Sequence, residues 1–352
     1  MKIGYLYYTF FPVTGGASVH GYYLARELKR AGHTLYKLNG KEDPYTIKLT
    51  PSLKGALTIL KDSDIIYARA DFFLYPRNLL TALALLLGKK VVLELNSPSD
   101  ELKLHGKSEG YIRRIDKIAA WFFKRASNVI AISEPVKRYC EEELGLSNVH
   151  VIENGGEPFQ EPGKNASAEI RQRAAEICKV YPVRMVWSGS VNRMQNMSLL
   201  KKVADADPGR VALLVLAKYE GVDRREKPMI FQNDNVFSFD RLPRADVEYL
   251  ISVSTAGLAF YEDYSWCRWG FYNSSLKIFE YLNNGLITLT NTPGTPVQRK
   301  YPNFRQVPNS EDILEIIQDL PSENPETSEN IRTWSDVGRE TDRILKQTLK
   351  RC

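Results

Sequence analysis

KIGYLYYTFFPVTGGASVHGYYLARELKRAGHTLYKL, residues 2–38, sets out a strand, a glycine loop, a helix and a second strand. Lys2 to Tyr8 is rich in β-branched and aromatic residues and reads as a buried strand. Pro12, Gly15 and Gly16 punctuate the turn that follows. Val19 to Arg30 then carries Tyr22, Tyr23, Leu24 and Leu28 at helical spacing. Ala31-Gly32-His33 stops that helix, and Thr34 to Leu38 begins the next strand. The same alternation runs onward: strand Ile65–Ala68, helix Asn78–Leu87, strand Lys90–Leu95, helix Tyr111–Arg125, strand Asn128–Ile132, helix Glu134–Leu144, strand His150–Ile152. Strands alternating with helices predict a parallel sheet covered on both faces.

A polar stretch, Asn154 to Ser167, interrupts the pattern with three glycines and two prolines and reads as an interdomain linker. Beyond it come strand Arg184–Trp187, helix Met197–Ala206, and strands Val211–Leu216, Val236–Phe239, Ala256–Ala259 and Leu286–Thr290. The helix Ser275–Asn283 lies between the last two strands. The tail from Glu311 to Cys352 reads as helical and polar, broken near Pro321 and Pro325. The expected fold is α/β, with two Rossmann-like halves over residues 1–160 and 161–330 and a terminal helix over 331–352. No internal repeat is visible.

The 352 residues, 43% hydrophobic and 26% charged, have the balance of an ordinary globular chain and exclude a disordered, collagen-like or disulfide-stapled class. The longest apolar run, Leu79–Leu87, is about half of the roughly 20 residues a spanning helix needs. Lys2 is followed by a strand-like run instead of a signal peptide, so a cytoplasmic location is expected. The net charge is +6, a surplus that anionic lipid, nucleic acid or a phosphate-bearing ligand could each use. Cys140, Cys178, Cys267 and Cys352 form no CxxC pair and read as free thiols. The four histidines, His20, His33, His105 and His150, have no metal-ligand spacing.

Several stretches carry chemistry. The loop Phe11–Ala17 precedes a helix N-terminus, where backbone N–H groups and the helix dipole favour an anion; a tight turn is the plain alternative. It is not GxGxxG, so the dinucleotide fingerprint is absent. Asp62-Ser63-Asp64 and Asp205-Ala206-Asp207 match an acid-x-acid metal pattern but read as solvated edges and caps, and no metal is expected. Tyr67-Ala68-Arg69 and Leu93-Glu94-Leu95-Asn96-Ser97-Pro98, with Glu101, place polar groups at strand C-terminal ends, where open α/β sheets bind ligands. Arg69, Glu94, Asn96 and Glu101 therefore line a candidate cleft; alternatively Arg69 and Glu94 form a cross-strand salt bridge. Gly189 closes a strand with small residues, and Arg193 follows as a phosphate partner or a solvated side chain. In Ser274-Ser275-Leu276-Lys277-Ile278-Phe279-Glu280, either serine can cap the helix. Lys277 lies in the first turn, where a cation opposes the dipole unless an anion binds nearby. The plain alternative is an i, i+3 Lys277–Glu280 pair.

Taken in order, these pieces resemble the GT-B glycosyltransferases, specifically glycosyltransferase family 4. The pieces are Pro12, Gly15-Gly16 and Gly32-His33, then Val129-Ile130-Ala131-Ile132-Ser133, Val151-Ile152-Glu153-Asn154-Gly155, and the pattern S-x-L-K-x-x-E-Y-L-x-x-G at Ser274–Gly285. The resemblance implies an N-terminal acceptor domain, a C-terminal nucleotide-sugar domain, a cleft between their sheets and a terminal helix crossing back to the first domain. It implies retention of anomeric configuration without a metal, helix dipole and basic side chains stabilising the leaving diphosphate. It gives the ribose to Glu280 and the diphosphate to Ser275, Leu276 and Lys277, with Ser274 beside them on the donor side and Gly15 and Gly16 opposite. The base goes to the backbone at Arg241 and Leu242. The donor is a nucleotide-diphosphate sugar acting as co-substrate, with no other cofactor and no nucleic acid partner.

The chain departs from the family pattern at defined positions. Tyr272 stands where many members carry a glutamate that touches the donor sugar. Ser190 and Gln195 replace the Arg and Lys of the diphosphate clamp, so Arg193 stands in. The common glycine pair is missing at Ala217-Lys218-Tyr219, and the acceptor-side histidine is replaced near Asn96. No catalytic residue stands out; the candidates are Glu94, Asn96, Glu101 and His105. The helix 111–125 interleaves Arg113, Arg114, Lys117, Lys124 and Arg125 with Trp121, Phe122 and Phe123. It reads either as a solvated basic face or as a helix lying on an anionic membrane, which would make the chain peripheral on its inner face. Sugar transfer to a glycan or lipid-linked acceptor in surface polysaccharide or glycolipid synthesis is the leading expectation. A non-catalytic protein that binds a nucleotide sugar or a partner protein is the alternative, and a GT-B epimerase or phosphorylase is a third reading.

Overall fold

The computed structural model describes residues 1–7, 10–11, 13, 15–72, 75–219, 232–307, 312–321 and 331–350. Tyr8, Pro12 and Thr14 of the first loop, the tail at Glu311 and Pro325, and Cys352 lie outside the described residues.

Runs of Val, Ile, Leu and Tyr bounded by turn residues become short strands, because β-branched and aromatic side chains fill a sheet face covered by helices. The first is β1 (Lys2–Leu6), followed by α1 (Gly16–Arg30) and β2 (Thr34–Lys37). Next come β3 (Thr46–Lys48), α2 (Leu53–Asp62), β4 (Ile65–Ala70), α3 (Pro76–Leu86) and β5 (Val91–Leu95). A 3-10 turn, Ser99–His105, leads to α4 (Glu109–Phe123), β6 (Asn128–Ala131), α5 (Glu134–Arg138) and β7 (Val149–Val151). These strands make one parallel sheet in the order β3-β2-β1-β4-β5-β6-β7. Register follows from apolar residues meeting across it, as in Ile3 beside Ile65 and Ile66 beside Val91.

The second sheet is built from β8 (Val183–Val191), β9 (Val211–Tyr219), β10 (Val236–Asp240), β11 (Ala256–Ala259), β12 (Ile287–Thr290) and β13 (Phe304–Gln306). Its order is β10-β9-β8-β11-β12-β13, again parallel throughout. Its helices are α6 (Ala168–Val180), α7 (Met197–Ala206), α8 (Arg244–Ser252), α9 (Leu276–Asn283) and α10 (Asp312–Gln318). Alternate residues of β8 and β9 face opposite layers: Met185, Trp187, Leu213 and Val215 enter one core, and Val186, Leu214 and Leu216 the other. Gly257 of β11 leaves the space that Tyr281 of α9 occupies; a Cβ there would collide with that ring.

The chain forms two compact units. One contains the seven-stranded sheet and consists of Met1–Asn154, Tyr264–Ser274 and the C-terminal segment from Trp334; the other holds Gly155–Asp263 and Ser275–Thr333. The last helix, α11 (Trp334–Lys350), packs on α1 of the first unit. His33 and Asp342 meet at 2.6 Å, Asn128 donates to Thr348 at 2.7 Å, and Lys90 donates to the Leu349 carbonyl at 2.8 Å.

The alternation predicts the fold class correctly, and five elements go beyond it: β3, α2, α6, α8 and β13. α6 begins directly after the polar stretch, with Ser167 accepting the Ile170 N–H. The helix expected at Glu134–Leu144 is a single α-turn that widens into a π-turn over Tyr139–Glu143. Asp64, in one acid-x-acid motif, accepts from the Lys2 N–H at 2.7 Å, and Asp205, in the other, pairs with Lys201 and Asn233. Cys140 and Cys267 are buried free thiols and Cys178 is an exposed one.

Candidate functional site

In each sheet the chain reverses its direction of travel once, between β1 and β4 and between β8 and β11. Ligands of open α/β sheets bind outside the strand C-terminal ends at such switch points. Each unit concentrates unusual polar chemistry there.

In the first unit the centre is Glu94 on β5, 1% exposed. Tyr67 from β4 donates to Oε2, Tyr7 at the end of β1 donates to Oε1 at 3.3 Å, and His20 Nε2 lies 3.0 Å from Oε2. Arg69 donates to Tyr7 Oη at 2.5 Å, so it reaches Glu94 through the tyrosine beside it as well as by its field. Burial by itself would raise the Glu94 pKa, but His20, Arg69 and Tyr67 outweigh it and hold the carboxyl down at about 2. The ring of Tyr7 stacks on His20, and Trp334 of α11 meets His20 edge-on at 5.2 Å. Sequence reading found Arg69 and Glu94, quoted Tyr67 in the same motif without placing it in the cleft, and passed over His20 and Tyr7. The signal for His20 was its position in the second turn of the helix that follows the glycine loop.

The remaining acceptor-side candidates follow β5 in the chain. Asn96 is half-buried, with an Oδ1 that finds no partner. Glu101 is half-buried in the 3-10 turn, where its charge and hydrogen bonding add to the burial that pushes the Tyr272 hydroxyl up. His105 ends the same turn and is exposed. Asp100, beside them, is buried and takes Arg268 on both oxygens at 3.0–3.3 Å. Gly15 precedes α1 in extended conformation, its N–H donating to Ser18 Oγ at 2.8 Å, and a Cβ there would meet nothing within 4 Å.

In the second unit the centre is the N-terminus of α9. Ser275 holds the N-cap position, yet no side chain caps the helix. Its hydroxyl is 2.5 Å from Tyr261 Oη, while Ser274, in the first unit, receives the Asn154 N–H at 2.9 Å. The expectation that either serine caps α9 is therefore corrected: each hydroxyl is drawn to a different partner, and the leading N–H groups have no side-chain acceptor. Lys277 Nζ donates to Gln195 Oε1 at 2.8 Å and lies 4.6 Å from the Trp187 ring and 5.5 Å from the Tyr261 ring. Burial pulls the ammonium down to about 7, only partly offset by Glu280. Gly189 makes room for it, since a Cβ there would stand 3.1 Å from Nζ. The i, i+3 Lys277–Glu280 ion pair is replaced: Glu280 Oε1 accepts from Arg244, which also holds Glu248 at 2.8 Å.

Of the other donor-side residues, Arg193 is exposed in the loop after β8. Arg241 follows β10 at φ 53°, a left-handed conformation uncommon for arginine, its N–H donating to the Ala217 carbonyl at 3.1 Å. Leu242 packs against the core beneath β9 and β10. Tyr272 is buried in the first unit, its carbonyl accepting from Ser133 at 2.5 Å. Thus Gly189, Ser275, Leu276, Lys277 and Glu280 gather around one helix end, with Arg244 added to the set. Gly15, Gly16, Tyr272 and Ser274 belong to the other unit.

A family model described as Glycosyltransferase Family 4 matches residues 38–157, about a third of the chain. HepE of Anabaena, solved in complex with UDP-glucose, is similar at a TM-score of 0.65 and 13% identity, over 99% of this chain and 100% of that one. The E. coli trehalose-6-phosphate protein bound with UDP-2-fluoro glucose is similar at 0.67 and 11% identity, over 100% of both chains. UDP-GlcNAc 2-epimerase of Methanocaldococcus jannaschii reaches 0.57 at 12% identity, over 99% of this chain and 100% of that one. No curated protein matches the chain in sequence. Residues 38–157 match the Glycosyltransferase Family 4 model, and the chain as a whole shares the GT-B fold of these solved structures.

Proposed function

We propose that this glycosyltransferase moves a sugar from a nucleotide-diphosphate sugar to a glycan or lipid-linked acceptor, with retention and without a metal, in cell-surface polysaccharide or glycolipid synthesis. The observation that carries the reading is the uncapped N-terminus of α9 with Lys277 held beside it. A cation in a first helical turn opposes the dipole and gains from an anion bound at the same place. The diphosphate supplies that anion, and as it leaves the sugar the dipole and Lys277 stabilise its growing charge. Glu280 is half-buried on the same helix, where its carboxylate suits two ribose hydroxyls while Arg244 holds it in orientation. The UDP-sugars bound by the similar HepE and E. coli structures support a nucleotide-sugar donor. In the first unit, Glu94 with His20 and Arg69 is the best-organised group for an acceptor hydroxyl.

Thermal stabilisation of the purified protein by a panel of nucleoside diphosphates and their sugars tests the reading, since a ligand that binds only the folded state raises apparent stability by mass action. A shift selective for one base is expected. Absence of any shift would leave the non-catalytic alternative, which the residues at Ser190, Gln195 and Tyr272 favour. Glu280→Ala should weaken nucleotide affinity about ten- to a hundredfold, the worth of hydrogen bonds to a charged group, with the circular dichroism unchanged. Unchanged affinity would remove Glu280 from the site.

A further inference from the structure

The surroundings of Lys277 are neutral. Its Nζ lies over the Trp187 and Tyr261 rings, at 4.6 and 5.5 Å, and donates to Gln195 Oε1 at 2.8 Å. No carboxylate among the described residues is in contact with it: Glu280, a turn on along α9, reaches it by its field while Arg244 holds the carboxylate itself. An ammonium that loses solvent is stabilised best by an opposite charge. The group that faces it here is a glutamine, which has the shape and the acceptor oxygen of glutamate without the charge.

The backbone fixes where that glutamine points. After β8 the chain turns at Asn192, whose side chain accepts the Met194 N–H at 2.9 Å and whose carbonyl accepts the Gln195 N–H at 3.2 Å. Gln195 then bridges Tyr261, just past β11, in antiparallel fashion. On either side the Glu262 N–H donates to the Met194 carbonyl at 3.1 Å and the Asn196 N–H to the Phe260 carbonyl at 3.3 Å. Asn196 closes the turn as the N-cap of α7, accepting the Leu199 N–H at 2.8 Å. Tyr261 thus holds the turn by its backbone, lays its ring beside the lysine and brings its hydroxyl within 2.5 Å of Ser275 Oγ. All of these residues belong to the second unit. The titratable groups that face Lys277 are Glu280 on its own helix and the Tyr261 hydroxyl, which burial pushes up to about 12 and so keeps uncharged at neutral pH. β8 and the turn after it contribute Trp187, Gly189 and Gln195, which do not titrate.

We propose that Gln195 is a positioning residue: its amide oxygen holds Lys277 at the head of α9 while leaving the ammonium uncompensated, so that the site selects its ligand by diphosphate charge. It rests on the reading that α9 takes a nucleoside diphosphate, and adds the residue that decides how strongly that charge counts. Two measurements on the full chain keep the two apart. The first needs no nucleotide: an NMR pH titration of protein isotope-labelled at lysine Cε, with the Lys277 signal assigned by its loss in Lys277→Met. Its midpoint is expected near 7 in the wild type. In Gln195→Glu, where a carboxylate faces the ammonium, it should rise by about one pH unit or more. The second is calorimetric titration with UDP, ADP and GDP at pH 7. Gln195→Glu keeps the hydrogen bond yet should lose about tenfold or more in affinity for the preferred nucleotide, because a fixed carboxylate neutralises the lysine and repels the diphosphate. Gln195→Met keeps the neutrality and loses the bond, and should cost about threefold with the circular dichroism unchanged. A glutamine that only braces the turn predicts the reverse order, the isosteric Gln195→Glu binding like wild type and Gln195→Met suffering more. That order, or a Lys277 midpoint that Gln195→Glu leaves in place, would overturn the proposal. A wild type that binds none of the three nucleotides, with the midpoint moving as expected, would sink the diphosphate reading and keep the hold of Gln195 on Lys277.

Discussion

Glu94 is a buried charge and Lys277 a half-buried one, and their histories are opposite. Lys277 gives up solvation without a carboxylate contact, sits between aromatic rings, and is pulled down to about 7. Between about 7 and its ordinary 10.5 the unfolded chain keeps this proton while the folded chain has lost it. Stability therefore gains from rising pH across that window, and Lys277→Met should remove that part of the slope in denaturant titrations. A bound diphosphate favours the ammonium. Nucleotide affinity should accordingly fall as pH rises above 7, with proton uptake visible by calorimetry in buffers of different ionisation enthalpy; a Lys277→Met protein should show neither. Glu94 is held down at about 2 by partners that outweigh its burial. Its contribution to stability is present above its ordinary 4.5 and is lost as pH falls from there through about 2. Glu94→Ala leaves His20, Tyr7 and Tyr67 without their common acceptor and should cost about 3–5 kcal/mol in chemical denaturation at pH 7.

At the scale of elements, two contacts show how small residues decide where helices go. α9 lies close on β11 because Gly257 has no Cβ, which brings Tyr281 to Ser188, where its hydroxyl accepts the backbone N–H at 2.9 Å. That docking also aims the α9 N-terminus at the end of β8. α11 lies close on α1 because Gly338 meets the Cβ of Glu27. Gly338→Val forces those helices apart; it should cost about 1–3 kcal/mol and lower the melting temperature by a few degrees. Because Trp334 touches both His20 and Tyr23, loosening α11 should also weaken the Glu94 cluster.

At the scale of the molecule, two doubly wound sheets present one switch point each, and the proposed transfer divides its labour between them. The metal-free reading is tested here. The thermal shift given by the preferred nucleotide, and the transfer activity, should persist in EDTA. Activity that vanishes with chelator and returns with Mn²⁺ would overturn it. Among the described residues no cluster of three or more His, Cys, Asp or Glu is arranged to hold an ion; the proposed transfer gives charge stabilisation to α9 and Lys277.

Hydrophobic period and turn chemistry determined the fold class, because both are local: a strand buried on two faces must be apolar throughout, and Gly32 or Gly285 ends a helix wherever it stands. The same locality made Arg69, Glu94, Lys277 and Glu280 visible as polar residues at strand ends and in a helical turn. β3 and α2 escaped since Thr46–Lys48 is too short and polar to show a period, and α2 leaves Leu53 and Leu57 exposed instead of buried. Partners separated by long stretches of chain were decided only by tertiary structure. Glu94 meets His20 and Tyr7 across 74 and 87 positions, Glu280 is taken by Arg244 36 positions away, and Tyr264–Ser274 joins the first unit from within the second half. Period records which side of an element faces inward; which charges then share a buried space is set by the order in which strands are laid side by side.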